Sequence, residues 1–401
     1  MIYNFDEIIS RNNSGCAKWD VAAGIFGDPG ILPMWVADMD FPVAAEITEA
    51  IKKRADHEIY GYAVPSPSVT EAVISRLTRL YGWEVRPEWI VYAPGVVPSL
   101  YTAVRAYCRP GDGVLILSPL YEPIWSSIRD NGCRPVYTRL RLSGGRYEID
   151  LEEFENRLLW NEHQGLIPSP SGVRMMILCN PHNPVGRVWT REELAAVGHR
   201  VIDSGGIVVS DEIHCEILFR GSHHIPFATL SEKFEQNSIV CMSPSKTFNL
   251  AGLGASIIII PNEALRKRFV DAARGIVPMV NVFGYTAMEA AYRYGDEWLG
   301  QLRSYLEANL EFFMDACAHF EPRVRVVRPE GTYLLWLDFR GLGMDAMSLR
   351  GFIRREAGLG LEDGFVFGPG GEGFQRMNIA CPRPLLAEAV KRLSKALEQL
   401  K

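Results

Sequence analysis

The feature of this sequence that most constrains its fold is a repeated order of short apolar runs and longer amphipathic stretches. The apolar runs are aliphatic, end at turn residues, and occupy residues 114–117, 173–178, 207–209 and 238–242. Such runs are typical of buried strands. Strands that alternate with helices form a mainly parallel sheet. We therefore predict an α/β fold with helices on both faces of a central sheet.

The last part of the chain has a different pattern and indicates a second domain. A long helical stretch, residues 299–320, precedes strand-like runs at 324–327 and 333–339, and the final helix carries a leucine stripe. A length of 401 residues is enough for a large and a small domain. The predicted units are an N-terminal segment packing with the small domain, the large domain and a small α+β domain, which occupy residues 1–44, 45–285 and 286–401.

Bulk properties exclude several classes of function. The formal net charge of -6, without a long run of Lys and Arg, argues against a nucleic-acid surface. The 8 cysteines form no C-x-x-C pair, which favours reduced thiols over a disulfide framework or a metal site. The first residues lack the apolar core of a signal peptide, and no apolar stretch reaches the ~20 residues of a membrane span. We expect a cytoplasmic protein without a membrane partner.

Polar residues follow the ends of the apolar runs. They are Tyr121, Asn183, Asp211 and Lys246. The carboxyl ends of parallel strands meet at one edge of a sheet, so these side chains are expected to lie together. Taken singly, each has a plain structural interpretation: aromatic packing, a turn residue before proline, a helix N-cap and a solvated surface lysine.

Together these residue types suit the chemistry of pyridoxal phosphate. A lysine among apolar neighbours has a lowered pKa and can form a Schiff base with a carbonyl group. A carboxylate can keep a pyridinium nitrogen protonated, an amide can hydrogen-bond a phenolate oxygen, and an aromatic side chain can stack on a flat ring. The sequence therefore predicts this cofactor, with Lys246 as its anchor and Asp211 as the partner of its ring nitrogen.

Local patterns give further expectations. Residues 92–99 contain a glycine turn that leads into a helix, whose free N–H groups can hold an anion. Residues 68–71 and 190–193 have the sequence of capping boxes. Residues 32–42 are predicted to form an extended covering strand, and Lys246 is predicted to lie in a serine-rich loop.

Three motifs carry a resemblance to a known family: Asn-Pro-His-Asn-Pro-Val-Gly at 180–186, Ser-Asp-Glu-Ile-His at 210–214 and Ser-Pro-Ser-Lys at 243–246. With them the sequence resembles the fold-type I pyridoxal-phosphate enzymes of the class I/II aminotransferase superfamily, over essentially the whole chain. Within that superfamily it is most similar to the cystathionine β-lyases and C–S lyases of the MalY/PatB type. This narrower likeness rests on residues 18–20, 32–41, 94–98, 211–214 and 378–383.

The resemblance implies a role for each matched residue. Besides Lys246, Asp211 and a stacking Tyr121, the cofactor would be bound at its phenolic oxygen by Asn183 and His214, and at its phosphate by the N–H groups of Val96 and Val97, the Ser243 hydroxyl and Tyr62. Tyr62 would come from a neighbouring subunit, which implies a homodimer with shared active sites. Arg376 and the backbone of Ala37 would bind the substrate carboxylate, for which guanidinium has the best geometry.

One position departs from the pattern of many aminotransferases, which carry a phosphate-binding arginine where this chain has Gly254. The lyase subgroup shares this departure, so it favours a lyase. The resemblance then implies β-elimination from cystathionine or another cysteine S-conjugate to a thiol, pyruvate and ammonia. Transamination of L-amino acids at the same site is the alternative. A further alternative is a second role in binding a transcription regulator.

Overall fold

The computed structural model describes residues 3–159 and 172–400. Its strands are β1 (Leu32–Pro33), β2 (Ile90–Ala93), β3 (Gly113–Ser118), β4 (Arg134–Ser143), β5 (Arg146–Ile149), β6 (Val173–Cys179), β7 (Ile207–Asp211), β8 (Ser238–Met242), β9 (Ser256–Ile259), β10 (Arg325–Val327), β11 (Leu334–Asp338), β12 (Leu359–Gly360), β13 (Glu362–Asp363) and β14 (Phe374–Asn378). Its helices are α1 (Ala22–Phe26), α2 (Ala45–Ala55), α3 (Pro67–Tyr81), α4 (Val96–Tyr107), α5 (Glu122–Asp130), α6 (Leu151–Leu158), α7 (Arg191–Asp203), α8 (Glu232–Gln236), α9 (Pro244–Thr247), α10 (Glu263–Ala273), α11 (Val282–Tyr294), α12 (Asp296–Ala318), α13 (Ala346–Gly351) and α14 (Arg383–Gln399).

An 8-stranded sheet with the order β2-β9-β8-β7-β6-β3-β4-β5 forms the centre of the fold. The neighbours from β8 to β4 pair in parallel. Strand β9 is antiparallel to β2 and β8, and β5 is antiparallel to β4. The prediction of a mainly parallel sheet is confirmed. The connection from β8 to β9 reverses the chain direction without a crossover. It contains α9, which follows the carboxyl end of β8.

Helices cover both faces of the central sheet, as consecutive residues of β6 demonstrate. Met175 belongs to the same apolar cluster as Leu100 of α4. Met176 belongs to a different cluster, which contains Val197 of α7. Because successive side chains of a strand point to opposite faces, both faces of β6 are buried, and this explains its uninterrupted apolar run. Within the described residues, no helix is both long and apolar enough to cross a lipid bilayer.

A second, 4-stranded sheet of the order β10-β11-β14-β13 is antiparallel throughout. Leu335 of β11 shares an apolar cluster with Leu310 of α12 and Leu393 of α14. The N-terminal segment reaches this part of the chain, because β1 pairs in parallel with β12. The central and small sheets agree with the expected architecture, and the residue boundaries of the domains remain a prediction.

The two predicted capping boxes differ in outcome. Thr190 and Glu193 form the reciprocal hydrogen bonds of a capping box at the start of α7, so that prediction is confirmed. The prediction of a box at 68–71 is wrong, because α3 begins two positions earlier with Ser66 as its N-cap and Pro67 in its first turn. A proline in the first turn has its φ preset for a helix and loses no hydrogen bond there. The sequence predicts a polar loop mixed with a short helix over residues 141–172, and residues 160–171 of that stretch lie outside the described structure.

The prediction of a covering strand over residues 32–42 is also wrong, since only β1 is a strand there. Side chains form hydrogen bonds with backbone groups of this segment that would pair with another strand in a sheet. The carbonyl oxygen of Trp35 accepts a hydrogen bond from Arg376 at 2.7 Å, and that of Asp38 accepts one from Asn378 at 2.6 Å. The segment is therefore held as an irregular chain against the small sheet.

Candidate active site

A cavity of about 180 Å³ lies at the carboxyl ends of β6, β7 and β8. Residues that the sequence singled out line most of its wall: Ala37, Val96, Val97, Tyr121, Asn183, Asp211, His214, Ser243 and Lys246. The prediction that polar strand ends meet at one edge of the sheet is thus confirmed. Of the other predicted site residues, Arg376 contacts the wall through Asn183, and Tyr62 lies elsewhere.

Lys246 lies in α9, a single helical turn, and not in the predicted loop. Ser243 caps this turn by accepting a hydrogen bond from the Ser245 backbone N–H at 3.1 Å, with a proline at the next position. The Nζ atom of Lys246 donates to the carbonyl oxygen of Ala37 at 2.6 Å. Burial, and then the charge of Arg376, lowers the pKa of Lys246 to about 8. A neutral amine is therefore accessible close to neutral pH.

Asp211 ends β7 and is only 5% exposed. Its carboxyl accepts a hydrogen bond from the backbone N–H of Ile213 at 3.2 Å, and no basic side chain of the described chain forms an ion pair with it. Burial raises the pKa of Asp211 to about 7, and the neighbouring Glu212 contributes in the same direction. Glu212 itself is paired with His224 at 2.7 Å. Asp211 is thus a buried carboxyl without an ion-pair partner among the described residues, although the charge of Lys246 in the same cavity opposes the rise of its pKa.

The start of α4 provides a seat for an anion. Val96 and Val97 line the cavity, and the N-cap residue before them offers no side-chain hydrogen bond. The first N–H groups of a helix have no partner within the helix and lie at the positive end of its dipole. Ser243 lines the same region, although its hydroxyl donates to the carbonyl oxygen of Ala255 at 2.7 Å. Gly254, in the left-handed region with φ 56°, contributes no cation.

Arg376, in β14, presents an incompletely paired guanidinium. Its Nη1 donates to Oδ1 of Asn183 at 3.1 Å and its Nη2 to the carbonyl oxygen of Trp35 at 2.7 Å. Its Nε has no hydrogen-bond partner in the described structure, although the residue is only 3% exposed. A buried N–H without a partner costs free energy unless a ligand satisfies it. The arrangement suits a carboxylate.

Tyr121 and His214 complete the wall. The backbone N–H of Tyr121 donates to the carbonyl oxygen of Asn183 at 3.1 Å, which ties the loops after β3 and β6 together. Burial, together with the charges of Lys246 and Arg376, lowers the pKa of His214 well below its usual range. The His214 ring is therefore neutral at physiological pH, and its Nδ1 has no partner in the described structure.

Tyr333 is a site residue that sequence analysis missed. Its hydroxyl donates to the carbonyl oxygen of Ala37 at 2.9 Å, which is the same atom that Lys246 contacts. The preceding Thr332 is fully buried and has φ 69°, which is strained for a β-branched residue. The sequence marks residues 333–339 only as a strand-like run, so nothing in it signals this contact.

Tyr62 is fully exposed in the single chain and belongs to the loop between α2 and α3. Ile59, Tyr60 and Val64 beside it are also largely exposed. The fold of one chain therefore does not bring Tyr62 to the cavity, and its role at a neighbouring subunit stays a prediction.

Comparison with known proteins adds to this geometry. The profile of the family "Aminotransferase class I and II" matches residues 31–393. Cystathionine beta-lyase PatB of Bacillus subtilis (strain 168) is 40% identical over 395 residues, which cover 98% of this chain and 100% of that protein. The crystal structure of cystalysin from Treponema denticola, which contains a pyridoxal 5'-phosphate cofactor, superposes with a TM-score of 0.94 at 34% identity and covers 100% of both chains.

A PLP-bound C-S lyase from Staphylococcus hominis superposes with a TM-score of 0.90 at 33% identity, covering 99% of this chain and 98% of its own. Likeness over the full length confirms the predicted fold-type I architecture, including the small sheet. The chain belongs to the class I and II aminotransferase family.

Proposed function

We propose that this protein is a pyridoxal-phosphate-dependent carbon–sulfur β-lyase that cleaves cystathionine or related cysteine S-conjugates to a thiol, pyruvate and ammonia. The observation that carries the proposal is the meeting of Lys246, with its lowered pKa, and Asp211, without a cation, in one cavity. The names of PatB and of the staphylococcal C-S lyase support this choice among the activities of the family.

The residues present fit pyridoxal 5'-phosphate. Asp211 lacks a cationic partner, which a pyridinium nitrogen would supply, and the start of α4 offers N–H groups for a phosphate. Tyr121 and Asn183 would hold the ring, and Lys246 would be its covalent anchor. When bound, the cofactor supplies an electron-withdrawing ring that stabilises negative charge at the substrate Cα.

The side chains of this chain would then position the substrate and move its protons. The Arg376 fork would bind the α-carboxylate, using the Nε that has no partner in the described structure. Lys246, as a neutral amine, would take the proton from Cα. The Ala37 carbonyl, which Lys246 and Tyr333 share, would hold that amine in place while it is not bonded to the cofactor. The thiolate then leaves from Cβ, and water converts the remaining fragment to pyruvate and ammonia.

We also infer a homodimer and a cytoplasmic location. The exposed apolar loop around Tyr62 supports a second subunit, since a solvated surface seldom carries such a group of large side chains. Free cysteines at all 8 positions agree with a reducing compartment. The molecular mass in solution tests the homodimer. A lower affinity of Tyr62→Ala for the cofactor would support the shared site.

The test of the function is pyruvate release from cystathionine by purified, cofactor-loaded protein without any added 2-oxo acid. A lyase releases pyruvate, a thiol and ammonia in equal amounts under these conditions. A transaminase instead converts cystathionine to the corresponding 2-oxo acid with its C–S bond intact, and it needs an added 2-oxo acid as acceptor to complete its cycle. Consumption of cystathionine that depends on an added 2-oxo acid and releases no pyruvate therefore contradicts the lyase proposal and favours transamination.

A further inference from the structure

Glu362 lies directly opposite Arg376 in the small sheet. Strand β13 pairs antiparallel with β14, and the register places Glu362 against Arg376 and Asp363 against Gln375. Side chains of directly opposite residues project from the same face of a sheet. Glu362 therefore projects from the same face as Arg376, which is the face that meets the cavity through Asn183.

The carboxylate of Glu362 is poorly paired compared with that of its neighbour. Its nearest cation is Arg376, with 3.8 Å between the carboxylate and Nη2, and the described residues offer it no hydrogen bond. Asp363, on the opposite face, accepts hydrogen bonds from Arg350 at 2.7 Å and from Arg354 at 2.8 Å. Arg350 and Arg354 thus hydrogen-bond Asp363 and not Glu362. Burial raises the pKa of Glu362, and the charge of Arg376 acts in the opposite direction.

Glu362 is reachable from solvent and close to the site. Its side chain is 28% exposed, whereas that of Arg376 is 4% exposed. Its charge also acts on Tyr121 of the cavity wall, where burial is the main cause of a raised pKa and Glu362 adds to it. The cavity lies at the carboxyl ends of β6 to β8, and Arg376 reaches its wall from the small sheet through Asn183.

We propose that Glu362 determines specificity at this site: it favours substrates whose sulfur substituent carries a cation and disfavours those that carry an anion. This inference rests on the proposed lyase function. With the α-carboxylate on Arg376, a charged group a few atoms beyond the sulfur comes near the Glu362 carboxylate. Charges at such distances in a partly exposed site change binding several-fold, with attraction for a cation and repulsion for an anion.

The test compares three L-cysteine derivatives in the loaded enzyme and in Glu362→Gln: S-(2-aminoethyl), S-propyl and S-carboxymethyl. The aminoethyl and propyl groups have the same shape and differ in charge. We expect Glu362→Gln to lower the ratio of kcat/KM for the aminoethyl over the carboxymethyl compound by about tenfold, mainly through KM, and to leave the propyl compound within about twofold.

Glu356→Gln is the matched control, because it removes the same charge from an exposed position. An unchanged ratio in Glu362→Gln, or an equal change in Glu356→Gln, overturns the proposal. A wild-type enzyme that prefers the carboxymethyl compound to the aminoethyl compound also overturns the proposal. This measurement does not depend on whether the variants fold. Failure of the lyase function is distinct: wild type then releases no pyruvate even from the propyl compound. In that case calorimetric affinities for the three compounds still decide whether Glu362 selects by charge.

Discussion

Two buried clusters in this protein each combine a lysine with an aspartate, and they differ in how fully the charges are paired. In the Lys18 cluster, Lys18 Nζ lies 2.6 Å from Asp40, which also accepts hydrogen bonds from Arg11 at 2.7 Å and Trp19 at 2.9 Å. Burial alone would raise the pKa of Asp40, but Lys18 and these hydrogen bonds outweigh it and lower that pKa. The Lys18 cluster is a complete ion pair that fixes the N-terminal segment.

In the Lys246 cluster, the lysine donates to the carbonyl of Ala37, and Asp211 accepts a single backbone hydrogen bond. Here burial dominates, so the pKa of Asp211 rises to about 7 and that of Lys246 falls to about 8. Both pKa values have shifted in the direction that favours the neutral form of the group. Missing partners, rather than burial, therefore separate the reactive cluster from the structural one.

The largest expected effect is that of Lys246→Ala on activity. Without its amine, the site loses both the anchor of the cofactor and the base at Cα, and we expect pyruvate release to fall by at least about a thousandfold. The cofactor absorbance of the purified protein should shift or disappear as well. Lys391→Ala, at an exposed position of α14, should change neither property. Substantial activity in Lys246→Ala would remove the central assignment.

Lys18→Met should instead act on stability. It leaves Asp40 buried with one cation fewer, and breaking such a pair costs about 3–5 kcal/mol of unfolding free energy, which urea denaturation measures. Because Arg11 still contacts Asp40, we expect the lower end of that range. Adding Asp40→Asn should recover part of the loss. If Lys18→Met costs less than about 1 kcal/mol, the two clusters do not differ in pairing as described.

The two clusters also differ in how far the sequence alone predicts them. Lys246, Asp211 and Asn183 each follow an apolar run, so strand periodicity and the meeting of strand ends at one edge place them together. The pairing of Lys18 with Asp40 joins two positions of an irregular segment, for which no periodicity exists. Tertiary packing sets these partners, so the sequence alone does not predict them.

The missed details of the site have the same physical origin. The hydroxyl of Tyr333 contacts Ala37, and the preceding Thr332 has a left-handed backbone that no local propensity indicates for a threonine. The sequence predicts a loop around Lys246, where the structure has a helical turn, because a single turn is too short for a helical pattern to be recognised. Short or strained elements are decided by their surroundings.

Asp211→Asn tests whether the charged form of the Asp211 carboxyl, which has no ion-pair partner, lowers the stability of the cofactor-free protein. The folded state raises its pKa from 3.8 to about 7, so the unfolded state holds fewer protons between these values, and stability contributed by the neutral acid is lost as pH rises through that window. In cofactor-free protein we therefore expect the variant to be more stable than wild type at pH 8, by roughly 2–4 kcal/mol, and equally stable near pH 4. Denaturation at several pH values measures this.

In loaded protein the order should reverse, because a pyridinium pairs with the aspartate and not with the asparagine. The variant should then bind the cofactor more weakly and turn over more slowly. A stability difference in cofactor-free protein that does not vary with pH would show that Asp211 is already charged and paired, like Asp40.

The smallest expected effect is that of Tyr333→Phe, which removes one hydrogen bond and keeps the ring. The Ala37 carbonyl retains the Lys246 amine as a donor, so no buried acceptor is left alone, and we expect a loss of about 1 kcal/mol in unfolding free energy. Catalysis should respond more than stability does, since the carbonyl that holds the Lys246 amine is less fixed. The pH at which activity reaches half of its maximum should shift in the variant. If Tyr333→Phe and wild type differ in stability but have the same pH profile of activity, Tyr333 has a structural role like that of the residues in the Lys18 cluster.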